Sequence, residues 1–140
     1  MRPSLLPGLL LATACAGALY AKYAGPAASP PDQVYTCVRT QLKTMGYERT
    51  QYDEHTGWYV AEKAERNLVS SGLYRKTVHV LDVRVKPAGE NQATLEITAH
   101  TYDEFANVKG ADRQERKAAD RVTLDAQTLG QACTTGNAAP

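Results

Sequence analysis

The strongest constraint on the fold is a pair of alternating segments joined by a turn, within residues 75–102. In residues 75–86, a set rich in Leu and Val alternates with a set that contains Lys, Asp and Arg. Residues 93–102 alternate in the same way, and the intervening Pro-Ala-Gly-Glu-Asn stretch is typical of a turn. Because successive side chains of a strand point to opposite faces, this pattern predicts an antiparallel hairpin.

Two more strands are predicted upstream of this hairpin. They cover residues 47–52 and 58–64, where aromatic and β-branched residues are frequent. Between them, Asp-Glu-His-Thr-Gly at 53–57 predicts a turn that ends in glycine. Residues 107–112, which contain Gly110, are predicted to form a loop.

Two segments, residues 32–45 and 114–134, have apolar side chains at helical spacing. These side chains are Val34, Val38, Leu42 and Met45 in the first segment and Ala119, Val122, Ala126, Leu129 and Cys133 in the second. Leu124 falls off the second stripe. The order of elements predicts an α+β fold with an N-terminal helix, a four-stranded antiparallel meander and a C-terminal helix, both helices lying on one face of the sheet.

The N-terminus has the anatomy of a secretory signal. One positive charge, on Arg2, precedes residues 5–19, which are rich in leucine and carry no charged side chain. This apolar run is shorter than the roughly 20 residues that a membrane-spanning helix needs. The pattern predicts that the chain is exported.

Residues 11–15, Leu-Ala-Thr-Ala-Cys, resemble the lipobox of bacterial lipoproteins, in which a small residue precedes the modified cysteine. The resemblance implies that Cys15 is acylated with fatty acids such as palmitate and becomes the new N-terminus once the signal peptide, residues 1–14, is removed. Ala16, which is not Asp, would then direct the protein to the outer membrane of a Gram-negative envelope, facing the periplasm. An ordinary secretory cleavage site and an uncleaved membrane anchor stay open, and all three alternatives place the domain outside the cytoplasm.

The remaining chain divides by composition into three parts. Residues 15–31 are rich in Ala, Gly and Pro, which predicts a lipid-anchored flexible tether. Residues 32–134 are long enough for a single α+β domain. Residues 135–140 are small and polar, and they are expected to be a disordered tail.

The cysteine count agrees with export. The chain has three cysteines, and lipidation of Cys15 would leave Cys37 and Cys133 as an even pair. In an oxidising compartment this pair can form a disulfide that closes nearly the whole domain, and such a bridge fits two helices that lie side by side. Two buried free thiols are the alternative.

Charge argues against a nucleic-acid partner. The chain has 16 Lys and Arg against 15 Asp and Glu, for a net charge of +1. Proteins that bind nucleic acid normally have a basic excess, because neutralising phosphates supplies most of their affinity. We therefore expect no nucleic acid among the partners.

The residues that carry catalysis or bind metals do not form a recognisable motif. His55 lies in a predicted turn, whereas His79 shares the apolar parity of its strand and His100 the polar parity of the next strand. His79 and His100 should therefore point to opposite sides of the sheet and share no metal site. No nucleophile elbow, P-loop or dinucleotide fingerprint is present. We expect no catalytic activity, cofactor or metal.

Aromatic side chains indicate a candidate binding surface. The chain has eight Tyr and one Trp against one Phe, and most of these rings lie on predicted strands. Such rings suit contacts with a protein or a glycan because they combine apolar area with a polar group, although aromatics are also common in ordinary strands. The candidate surface consists of Tyr47, Tyr52, Trp58, Tyr59, Tyr74 and Tyr102.

Together these features predict an envelope lipoprotein that carries a small non-catalytic interaction or structural accessory domain. Its partners would be the membrane, through the lipid, and an unidentified envelope protein or glycan. Two alternatives remain at this level. One is a ligand- or glycan-binding module that uses the aromatic sheet face, and the other is a small envelope hydrolase with an unrecognised site.

Overall fold

A computed structural model of the chain describes residues 17–67, 75–107 and 109–135. Its elements are β1 (Ala21–Ala27), α1 (Pro31–Thr44), β2 (Glu48–Asp53), β3 (Trp58–Asn67), β4 (Arg75–Pro87), β5 (Ala93–Asn107), β6 (Gly110–Arg116) and α2 (Asp120–Thr134). The predicted α+β class with an antiparallel sheet is confirmed. In the described residues the sheet has six strands, two more than the predicted meander.

The centre of the sheet is the antiparallel meander β2–β3–β4–β5, in which each strand pairs with the next. The hairpin of β4 and β5 is the longest pairing and extends from Arg75↔Phe105 to Pro87↔Ala93. β1 and β6 were not predicted, and both pair antiparallel with β5. Because β4 occupies one edge of β5, β1 and β6 lie one after the other along its opposite edge.

Strand β1 corrects the predicted tether, since part of residues 15–31 is folded into the sheet. Its backbone pairs with β5 from Ala21↔Ala99 to Ala27↔Ala93. The Tyr23 ring packs against Gly130 of α2, and its hydroxyl lies 3.2 Å from Oγ1 of Thr134. The small residues that resemble a linker in the sequence allow this edge strand to lie close to α2.

Strand β6 corrects the predicted loop at 107–112 and the predicted start of the second helix. Residues 110–116 pair with β5 instead, and α2 begins at Asp120 with Ala119 as its N-cap. The charged side chains of this segment suit an exposed edge strand, and they hide the strand from a search for apolar periodicity. The prediction that Leu124 lies off the apolar stripe is confirmed, because 61% of it is exposed.

The main core lies between the sheet and the two described helices. α1 contributes buried residues such as Val38 and Leu42, and α2 contributes Val122 and Leu129. The sheet contributes one set of alternate side chains, for example Leu81. This alternation is the one predicted from residues 75–102, and it leaves the other face of the sheet uncovered by α1 or α2.

A disulfide joins the two helices. Cys37 of α1 and Cys133 of α2 are bonded, with their Cα atoms 5.7 Å apart and 96 positions apart in the sequence. The predicted pairing is confirmed, and so is its place between adjacent helices. The bond links the first helix to the last turn of α2 and so closes a loop that contains all of β2 to β6.

Neither α1 nor α2, the helices in the described part of the chain, has the length and hydropathy that crossing a membrane requires.

Candidate functional site

The predicted aromatic surface does not assemble, because two of its rings are buried on the helix side of the sheet. Tyr47 is 5% exposed, and its hydroxyl donates a hydrogen bond of 2.7 Å to the Asp125 carboxylate. Tyr59 is 8% exposed and meets the Tyr35 ring edge to face at 5.9 Å. These rings are part of the core.

The other predicted rings are dispersed. Trp58 and Tyr102 are on the uncovered face, where Nε1 of Trp58 donates to Asp82 at 2.9 Å and the Tyr102 ring stacks on His100. Tyr52 lies on the far strand β2, half exposed, with the Arg49 guanidinium 4.0 Å from its ring centre. Tyr74 and Cys15, the predicted lipidation site, lie outside the described residues.

On the sheet face that the helices leave uncovered, charged side chains lie beside a small apolar cluster. Three valines of β3 and β4 form a second apolar cluster there, and each is at most 8% exposed. Arg113 of β6 reaches over this face and forms a bidentate pair with Glu62, at 2.8 and 3.1 Å, and a further bond of 2.8 Å to Glu104. These carboxylates, Glu62 first, raise the pKa of Arg113. The face is therefore not a flat apolar platform.

His79 and His100 lie on opposite faces of the sheet, as predicted. His79 is 2% exposed on the helix side, whereas His100 is on the uncovered face with Nδ1 2.6 Å from Glu115. Within the described residues, no three His, Cys, Asp or Glu side chains converge in a way that could hold a metal ion.

A buried series of hydrogen bonds connects His79 to the start of α2. Its Nε2 lies 3.5 Å from Glu65, and its Nδ1 lies 3.2 Å from the Thr101 hydroxyl. The Thr101 hydroxyl in turn accepts a 3.0 Å hydrogen bond from the backbone N–H of Ala119, the N-cap of α2. Because Thr101 is fully buried, its hydroxyl cannot act as a nucleophile on a substrate. These hydrogen bonds instead connect β4 and β5 to α2.

A concave site lies at the start of α1. There a cleft of about 410 Å³ opens between this helix, the turn that joins β2 to β3, and the end of β4. We call it the α1 cleft. Its lining residues are Pro31, Asp32, Tyr35, Thr36, Arg39, Glu54, His55, Thr56, Gly57, Val85 and Pro87. Its volume is within the range of small-ligand sites.

One wall of the α1 cleft is a stripe of helix α1, and the other is the turn between β2 and β3. On α1, the lining residues recur at helical spacing from Pro31 to Arg39, so they form one stripe. Opposite them, the Asp53 carboxylate accepts a 3.0 Å hydrogen bond from the backbone N–H of His55 and shapes the turn. Gly57 has φ of +70° and accepts a 2.8 Å hydrogen bond from the Val85 N–H, which fixes the turn against β4.

The charges of the α1 cleft come from both walls. Arg39 Nη1 lies 3.2 Å from Glu54 Oε1 across the opening, and both side chains are at least half exposed. Asp32 and His55 add a carboxylate and an imidazole to the same lining. Burial, followed by the nearby Glu54 charge, raises the pKa of Tyr35 above its ordinary value. The site therefore offers both signs of charge above partly apolar walls.

The sequence did not reveal this site. The predicted turn at 53–57 was correct, and His55 was assigned to it, but neither Arg39 nor Glu54 belongs to a motif. The residues meet because the β2–β3 turn folds back on β4, a contact between segments about 30 positions apart in the sequence.

Comparison with known proteins leaves the family open. No family model matches the chain, and no curated protein matches it. Among solved structures, a DUF4468 family protein from Bacteroides ovatus ATCC 8483 is 10% identical, with a TM-score of 0.33 and 77% of each chain covered. Ara h 8.0201 is 11% identical, with a TM-score of 0.36, 84% of this chain and 93% of that chain covered. Likeness at this level carries no argument about function.

Proposed function

We propose that this chain is an exported lipoprotein whose domain is a non-catalytic binding module, with the α1 cleft as its ligand site. The lipid would be attached at Cys15, which lies outside the described residues. The observation that carries the binding proposal is the Arg39–Glu54 pair across the opening of a cleft with partly apolar walls.

The Cys37–Cys133 disulfide supports export. Disulfides persist in oxidising compartments such as the periplasm and are rare where thiols are kept reduced. The bridge uses two of the three cysteines and leaves Cys15 as the odd one. A lipobox at Cys15 accounts for that remaining cysteine.

The ligand class follows from the charges of the α1 cleft. A ligand with a carboxylate and an ammonium group can satisfy Arg39 and Glu54 separately, replacing the exposed pair between them. Its apolar part would contact Tyr35, Val85 and Pro87. Short peptides with free termini have this chemistry, and we propose an envelope peptide as the ligand.

A non-catalytic role fits the positions of the two histidines that face the helix side or the cleft. His79 is sealed inside the fold with Thr101, out of reach of a substrate. His55 is exposed at the cleft, and the bond of its turn to Asp53 uses the backbone N–H and not the imidazole. Among the described residues, neither histidine is paired with an accessible nucleophile.

Binding can be tested with tri-alanine that has free termini, titrated into the membrane-extracted protein by calorimetry or NMR. The same peptide with acetylated and amidated ends is the matched control and should bind far more weakly. Arg39→Ala or Glu54→Ala should weaken binding about tenfold or more, since a hydrogen bond to a charged group contributes about 1.5–3 kcal/mol. Arg84→Ala, an exposed arginine over Trp58 on the uncovered sheet face, should leave binding unchanged. Equal binding of both peptides would reject the proposed ligand class.

Export and lipidation can be tested by the intact mass of the native protein extracted from membranes. The proposal predicts a chain that begins at Cys15, with the acyl mass added and the other two thiols oxidised. A chain that retains residues 1–14, or a Cys15 without lipid, would contradict it.

A further inference from the structure

The N-terminal end of the folded domain is fixed to one edge of the sheet. The backbone N–H of Ala118 donates a 2.7 Å hydrogen bond to the Leu19 carbonyl, just before β1 begins. The Tyr20 ring lies 5.9 Å from the His100 ring. The chain therefore enters the domain where β6 ends and β1 starts, halfway along β5.

This edge exposes apolar side chains beside positive charges. Leu19 and Tyr20 are neighbours in the chain, and they are 46% and 45% exposed. Two lysines are exposed near them: Lys22, which follows on β1 and acts on the Glu96 carboxylate, and Lys117, which precedes the Ala118 that bonds to Leu19. We call these four residues the anchor edge. A leucine, an amphipathic ring and lysines together are typical of proteins that rest on a membrane surface.

The length of the chain limits how far this edge can lie from a lipid on Cys15. Only four peptide steps separate Cys15 from Leu19. At about 3.5 Å per residue, they span at most about 14 Å. The opposite edge of the sheet, β2, is four strand spacings from β1, or about 19 Å further across.

We propose that the anchor edge lies on the surface of the leaflet that holds the Cys15 lipid, so that the domain is docked against the membrane with β2 directed away from it. This inference rests on the proposed lipidation. The lysines would meet anionic headgroups while Leu19 and Tyr20 enter the interfacial region. Docked in this way, the α1 cleft, whose turn joins β2 to β3, is directed toward the aqueous side.

Tryptophan quenching tests the orientation, since the chain has one Trp. The full lipidated protein carrying Trp58→Phe and Tyr20→Trp is placed in vesicles that contain phospholipid brominated near the headgroup. The matched control carries Trp58→Phe and Tyr52→Trp, which puts the reporter on β2 at a site of similar exposure, 52%. Leu19→Trp, also combined with Trp58→Phe, provides a second reporter on the anchor edge that leaves the Tyr20–His100 contact intact.

We expect emission from the Tyr20→Trp and Leu19→Trp proteins to fall severalfold in brominated vesicles, and emission from the Tyr52→Trp protein to change little. A lipidated protein in which the anchor-edge reporters are not quenched, or all three are quenched equally, would overturn the docking while leaving the proposed function intact. If intact mass shows no acyl group on Cys15, the lipoprotein proposal fails, and this inference fails with it.

Discussion

Gly57 shows how one residue joins the β2–β3 turn to the sheet. Its φ is +70°, and a Cβ there would collide with the carbonyl oxygen of Val85. Gly57→Ala should therefore lower the free energy of unfolding by about 3 kcal/mol, from left-handed strain and overpacking combined.

Gly46→Ala is the matched control for this change. Gly46 has φ of +84°, but its added Cβ would meet only the flexible Lys63 side chain at 3.7 Å. Gly46→Ala should lower the free energy of unfolding by about 1 kcal/mol, from left-handed backbone strain alone. Urea denaturation compares the two variants, and equal losses would contradict the close approach of the turn to Val85.

Tyr47 provides a prediction for alkaline pH. Burial, and then its hydrogen bond to Asp125, hold the pKa of Tyr47 far above its ordinary value of about 10. The folded pKa is raised, so the stabilisation is fully present below the unfolded pKa and is lost as pH rises beyond about 10.

This loss can be measured as stability against pH between neutrality and alkaline denaturation. Tyr47→Phe should be less stable at neutral pH, by about 1.5–3 kcal/mol for the lost hydrogen bond to a charged group. It should also lose less stability than the native chain above pH 10 or so, because the group that must ionise is absent. Parallel pH profiles for the two proteins would refute the role of the Tyr47 hydroxyl.

At the scale of elements, the contact between β1 and α2 depends on Gly130. A Cβ at this position would overlap the Tyr23 ring. Gly130→Ala should push Tyr23 away and destabilise the fold by about 1–2 kcal/mol, after subtracting the gain in helix propensity.

Hydrogen exchange locates that effect. Amide protons of β1 should exchange faster in Gly130→Ala, while those of the β3–β4 pairing keep their protection. Gln131→Ala, at an exposed position of α2, is the control and should leave β1 protected. Unchanged exchange in β1 of Gly130→Ala would show that the Tyr23–Gly130 contact does not hold the strand.

The disulfide stabilises the pairing of the helices. It closes a long loop of 96 positions, so removing the disulfide should cost up to about 4.7 kcal/mol in the chain-entropy model. The double variant Cys37→Ser with Cys133→Ser should melt well below the native protein, and adding reductant to the native protein should produce a similar loss. Cys15→Ser, which removes no disulfide, should melt at the native temperature. A double variant as stable as the native chain would be incompatible with this role.

For the whole molecule, the fold begins well before the first helix. A chain that starts at residue 17 keeps β1, whereas one that starts at residue 28 loses it together with the buried Ala27 and the half-buried Tyr23. The shorter chain should be less stable by at least about 2 kcal/mol, since it exposes apolar surface under β1. Thermal denaturation of the two truncations measures this difference, and equal midpoints would support a tether and not a strand.

The sequence by itself determined the elements whose pattern is local. The β4–β5 hairpin, the two helices and the turn at 53–57 each carry their period or turn residues within a few positions, so each could be predicted without knowing its neighbours. The pairing of Cys37 with Cys133 was also predicted, from the expectation that Cys15 is modified and that the two helices lie side by side.

Only the tertiary structure decided the rest. β1 and β6 have no apolar alternation, since an edge strand is stabilised by backbone pairing with a neighbour, here β5. The α1 cleft joins Arg39 to Glu54 because the β2–β3 turn folds back on β4. Side chains brought together by long-range contacts leave no periodic pattern in the sequence, because their spacing along the chain is set by the loops between them.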